Sequence, residues 1–183
     1  MCQIDQQNRI SNPVLRIAKL TNTDLNYGIL RDASITAGIN VGRKSTGANP
    51  LAYLPGITVD LTIPSFAFIN VGGYAYIDRG TINNGQSNGC QETGFQASSA
   101  WLLPFSINDT KVRLEGFIDY ISSHGKCSGQ VLTQPRISFD FGSLVGISSN
   151  HLFGGIEYQY WHNKFGNRSP DENFPQALLM YRF

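Results

Sequence analysis

Residues 174–183 read "FPQALLMYRF". Ala177, Leu179, Tyr181 and Phe183 fall on every second position, with Gln176 and Arg182 on the alternate ones. A period of two is the side-chain period of a β-strand, so one face is apolar and the other polar. Soluble chains usually end in frayed polar residues, because terminal residues find too little packing to offset their ordering. This stretch predicts a strand used to its final residue, with an apolar face that needs an apolar neighbour.

The same alternation recurs upstream. In "KVRLEGFIDYIS" (111–122), Val112, Leu114, Gly116, Ile118 and Tyr120 share one face. Lys111, Arg113, Glu115, Phe117 and Asp119 share the other. So many ionisable groups on one face need water or each other. In "PRISFDF" (135–141), Ile137, Phe139 and Phe141 oppose Arg136, Ser138 and Asp140. In "GGIEYQYWHN" (154–163), Ile156, Tyr158 and Tyr160 oppose Glu157, Gln159, Trp161 and Asn163. Turn-rich clusters such as "RKSTGANP", "NNGQSNG" and "SHGKCSG" separate the alternating segments. Strands are predicted near 13–20, 28–42, 56–63, 66–79, 95–107, 111–124, 133–145, 152–165 and 174–183. Short turns near 64–65, 107–110 and 146–151 alternate with long loops near 43–55, 80–94, 125–132 and 166–173.

Composition narrows the class. Charged residues are 15% of the chain, against roughly 25% in an average soluble domain. Mean hydropathy is still slightly polar, at -0.17. No apolar run is long enough for a membrane-spanning helix. A net charge of +1 gives no electrostatic case for nucleic acid. The fold class expected is all-β: an antiparallel transmembrane β-barrel of the outer-membrane type, with short turns at one end and long loops at the other. Phe183 would then sit in the aromatic girdle at the periplasmic rim. The competing reading is a soluble barrel of lipocalin type with the apolar face inward, which alternation alone leaves open.

One segment carries a resemblance. "LRIAKLTNTDLNYG" (15–28) resembles the "KLTNTDL" segment of the nucleoside-specific channel-forming porins, the Tsx type. The order "EGFIDYISSHG", "PRISFDFG", "GGIEYQYWHNKFG" and the short closing strand looks like the same family. The resemblance implies a monomeric barrel of about twelve strands in the bacterial outer membrane. It implies nucleosides as the permeant, outer-membrane lipid around the wall, and phages and colicins as docking partners. The terminal aromatic resembles the signal read by the barrel-assembly machinery. Nine strands against about twelve imply one domain over 1–183 that lacks a signal peptide and the first strands.

A nucleoside needs a flat apolar surface for its base and polar groups for its edge and ribose. "FAFINVGGYAYID" (66–78) offers Phe66, Phe68, Tyr74, Tyr76 and Asp78 on one face, opposite an aliphatic one suited to lipid. Phe117 and Trp161 are further aromatics on the charged face. These aromatics are the expected stacking surfaces in the lumen. Asp78, Arg113, Glu115, Asp119, Arg136, Asp140 and Glu157 are the expected hydrogen-bonding partners. The alternative is that the charges only pair across strands and hold the wall. A bulge near Gly72–Gly73 would invert the 66–79 faces.

No enzymatic motif stands out. His124, His151 and His162 lack metal-ligand spacing, and no nucleophile elbow or phosphate loop occurs. No cofactor or metal is expected. The alternative function is a structural or adhesive barrel without specific transport. Counting back from a periplasmic C-terminus puts Cys90 and Cys127 in external loops one strand apart. Outside the inner membrane the setting is oxidising, so a Cys90–Cys127 disulfide is expected, with Cys2 left over.

Overall fold

The computed structural model describes residues 7–10, 14–16, 27–42, 50–81, 90, 92–169 and 171–182. Eleven strand segments form one antiparallel sheet. They are β1 (Gln7–Ile10), β2 (Val14–Arg16), β3 (Leu30–Gly42), β4 (Pro50–Leu61), β5 (Phe68–Thr81), β6 (Thr93–Ile107), β7 (Thr110–Ile121), β8 (Gln130–Thr133), β9 (Arg136–Asp140), β10 (Leu152–His162) and β11 (Glu172–Tyr181). They occupy nine positions. β1 and β2 both pair with β3, and β8 and β9 both lie between β7 and β10. Sequence neighbours pair throughout, as in an up-and-down barrel. Among the described residues no ladder joins β11 to β1 or β2.

The split between β8 and β9 falls at Gln134–Pro135, where proline has no N–H for the ladder. Gly116 of β7 faces this point. A Cβ there would lie 2.8 Å from the Gln134 carbonyl and 2.9 Å from Pro135 Cα, so only glycine fits.

Two boundaries depart furthest from expectation. β4 starts at Pro50, six residues before the expected 56. Pro55 disguises it, because a proline inside a strand reads as a turn. The ladder toward β5 skips Leu54 and Pro55, between Tyr53↔Ile77 and Gly56↔Tyr74. The expected strand 133–145 ends at Asp140, and Gly142–Val145 forms a 3-10 turn. The Asp140 carboxylate accepts from Gly142 N, Asn150 N and Ser149 Oγ, which ties the connection 141–151 into a compact knot. That connection has eleven residues, so the expected short-to-long loop rhythm holds fully only at the two-residue turn Asn108–Asp109. Phe66 is a further correction. It lies in the 62–67 turn, before β5 begins, and not on the strand.

Residues directly opposed in an antiparallel ladder share a face, so the register assigns the two faces. Ile35, Ile57, Val71, Leu114, Ile118, Tyr120, Ile156, Tyr158 and Leu179 fall on one face, and all are exposed. Ser34, Thr36, Asn40, Gln96, Arg113, Glu115, Asp119, Ser138 and Asp140 fall on the other, and all are buried. A soluble barrel would do the opposite. An apolar outside around a polar inside is the pattern of a wall that faces lipid. Val112 is outward by register yet fully buried, between its ladder partners Phe105 and Phe139. The fold is an antiparallel β-barrel wall of the outer-membrane type.

Candidate functional site

Two stretches of the inner face differ in chemistry. On β7, β9 and β10, charged side chains line up across the strands. Glu115 stands opposite Arg136, and Arg136 opposite Glu157. Arg113 Nη2 donates to Glu115 Oε2 at 3.0 Å. Arg136 Nε lies 3.0 Å from Glu115 Oε1, and its Nη1 lies 3.6 Å from Glu157 Oε2. The result is an Arg113–Glu115–Arg136–Glu157 row in which each charge has an opposite neighbour. Gln134 extends it, donating to Gln159 Oε1 at 2.7 Å. Such a row can keep ionised groups on an inner wall because each is desolvated beside a partner.

On β3, β4 and β5, the middle of the inner face carries Ser34, Thr36, Leu54, Gly56, Thr58, Gly72 and Tyr74, none of them charged. Tyr74 lies along the wall. A Cβ on Gly72 would sit 2.2 Å from the Tyr74 hydroxyl oxygen and 2.6 Å from Cζ. A Cβ on Gly56 would sit 2.5 Å from Cδ1. The ring therefore covers two glycines, one on its own strand and one on the next. Tyr74 Oη and Thr58 Oγ1 are 2.8 Å apart, which fixes the far end of the ring. A phenol held flat by two missing side chains and one hydrogen bond presents its other face away from the sheet. Each part is ordinary; the register brings them together.

The ends of β5 and β7 meet in a different kind of site. Cys90 and Cys127 are joined as a disulfide, with Cα atoms 5.5 Å apart. Asp78 accepts from Gly80 N and Cys90 N. His124 Nε2 lies 3.4 Å from Asp78 Oδ2, and its Nδ1 lies 2.9 Å from the Ser122 carbonyl. Both partners are acceptors, so the imidazolium, with two N–H donors, satisfies both. The hydrogen bond to Asp78 raises the His124 pKa above its usual value against the opposing effect of burial. Glu92 accepts from Gly125 N at 3.0 Å, and Ser128 N donates to the Gly166 carbonyl at 2.9 Å. The loops after β5, β7 and β10 are thus tied to one another.

The expected site residues divide accordingly. Arg113, Glu115, Arg136 and Glu157 come together in one row. Asp119 is buried on the same face, further along β7. Asp140 is committed to its turn. Tyr76 is buried, with the His124 ring 5.2 Å from its own, and Asp78 is part of the same loop anchor. Trp161 is inward but buried. Its Nε1 donates to Gln130 Oε1 at 3.1 Å, and its ring meets Phe165 at 4.7 Å and the Lys164 ammonium at 5.1 Å. Lys164 in turn pairs with Glu172. Phe68 is exposed at the start of β5. Of the expected aromatics on the inner face, Tyr74 and Phe117 are partly exposed. The Gly56–Gly72–Thr58 cradle was not expected, because its parts lie on two strands whose register the sequence does not declare.

No curated protein matches this chain. The family described as "Nucleoside-specific channel-forming protein, Tsx" matches residues 4–178, nearly the whole length. The family's β-barrel architecture agrees with the inside-out wall described above. The chain belongs to the family of Tsx-type nucleoside-specific channel-forming proteins of the outer membrane.

Proposed function

We propose that this chain admits nucleosides across the outer membrane by passive diffusion, through a weak binding site on the inner wall. The observation that carries the reading is Tyr74, laid flat over Gly56 and Gly72 and tied to Thr58. A ring held this way offers one face to a base at little further entropic cost. Stacking of about 1–3 kcal/mol per base holds a nucleoside weakly enough to let it leave. Phe117 supplies a second surface on β7. Arg136 and Glu157, the more accessible members of the charged row, supply donors and acceptors to the base edge and ribose. The outward isoleucines and tyrosines meet outer-membrane lipid. The barrel-assembly machinery recognises the alternating, aromatic C-terminal strand. The tied external loops are the surface a phage or colicin would meet.

Liposome swelling tests the transport claim. Vesicles containing the protein should swell faster in adenosine than in a sugar of similar size. Equal rates for the two solutes would remove the specific site and leave a general pore. Absence of swelling with both would favour a barrel without transport.

A further inference from the structure

A cavity of about 440 Å³ opens on the inner face at the other end of the barrel, near the 62–67 and 141–151 turns. Its walls include Lys111, Arg113, Asn150, Phe153, Pro104 and Arg182, and no carboxylate. The guanidiniums of Arg113 and Arg182 lie 5.4 and 5.7 Å from the centre of the buried Phe153 ring. One aromatic side chain thus gathers two cations at the mouth of one cavity.

The nearby acids are already committed. Glu115 is shared between Arg113 and Arg136. Asp140 acts on Lys111 only at longer range, and its oxygens hold Gly142, Ser149 and Asn150. Asp32 and Asp60 stand on β3 and β4, and neither lines the cavity. Among the described residues, no ion pair is formed by Lys111 or Arg182. Arg113 Nε is buried without a hydrogen-bond partner. Three converging cations with one shared counter-charge leave a net positive field in a partly desolvated cup. A polyvalent oxyanion is the ligand that matches three separate N–H donor groups.

We propose that this cup binds a phosphate group, either as free phosphate or as the phosphate of a nucleotide. The site lies apart from Tyr74 and does not depend on the nucleoside reading. Calorimetric titration of the folded full chain in detergent micelles with inorganic phosphate tests it directly. Saturable binding is expected, with Arg182→Gln combined with Lys111→Gln weakening it at least tenfold. Arg182→Lys, which keeps the charge, should recover most of the affinity. If the double variant loses its β-sheet signal, Arg182→Gln alone makes the comparison. A second titration with adenosine monophosphate distinguishes the sources. Tighter binding than phosphate, lost in the same variants, points to a nucleotide; equal or weaker binding points to the free ion. Absence of saturable phosphate binding, or equal binding by wild type and a folded charge variant, overturns the proposal. Adenosine transport measured alongside should be unchanged by these variants. Absence of phosphate binding by the wild type with its adenosine transport intact therefore fails this inference and not the channel.

Discussion

The β3–β5 wall and the β7–β10 wall face the same lumen and solve opposite problems. The β7–β10 wall carries ionised groups and neutralises them in a row, so its side chains are spent largely on one another. The β3–β5 wall is uncharged in its middle and uses glycine to make room for one flat ring. A charge that already has a partner holds shape well and gives a passing solute little. A partly exposed ring turned away from the sheet does the reverse. On the reading proposed above, the charged row chiefly holds the channel's shape, its more accessible Arg136 and Glu157 meet the solute's polar edge, and the neutral wall makes the stacking contact.

Breaking the charged row should have the largest effect. Glu115→Ala leaves Arg113 and Arg136 without their shared carboxylate, at a cost of about 3–5 kcal/mol when a buried pair loses one member. Heat modifiability on gels, or urea unfolding in micelles, should show the loss. Glu115→Gln should recover part of it through hydrogen bonding.

The disulfide joins the ends of the two walls, linking the loop after β5 to the loop after β7. Cys90→Ser should cost roughly 3–4 kcal/mol in the chain-entropy model for a closed loop of this size, 37 residues apart. Thiol labelling of unreduced, intact cells should find neither cysteine. A labelled Cys90 or Cys127 would mean that the loops are not tied.

On the neutral wall the expected change is smaller in stability and larger in function. Gly72→Val forces the Tyr74 ring away from the sheet, and overpacking of this kind costs about 1–3 kcal/mol. Adenosine selectivity should fall with it, while Glu115→Gln should leave selectivity near wild type. The reverse outcome would transfer the contact to the charged row.

The smallest effect is on pH. His124 has its pKa raised by Asp78, so the folded state favours the imidazolium. Its stabilising contribution is fully present below the unfolded-state pKa and fades as pH rises through the higher folded value. Unfolding midpoints between about pH 6 and pH 8 should decline slightly with pH. His124→Asn should flatten that slope.

Much of this was readable from residue order. The alternation in 111–122, 135–141 and 154–163 sorted the inner from the outer face, because a side-chain period of two survives any uncertainty about strand ends. The strand ends themselves were hidden where a local rule competes. Pro55 made the first half of β4 read as loop, and the apolar "FGSLVG" after Asp140 read as strand although Asp140 folds it back. The role of the aromatics was the least legible. Trp161 and Tyr76 alternate as Tyr74 does, yet loops cover the first two and leave the third partly exposed. Only the register, which sets Gly56 opposite Tyr74, reveals the cradle.

The central claim is that nucleosides rest on the Tyr74 ring. Single-channel current through the protein in a planar bilayer, with and without adenosine, measures this most directly. Tyr74→Phe should keep adenosine block close to wild type, since the ring face remains. Tyr74→Ala should weaken block by roughly 5- to 150-fold, the equivalent of about 1–3 kcal/mol of stacking, with open-channel conductance equal or higher. Unchanged block in Tyr74→Ala would contradict the account.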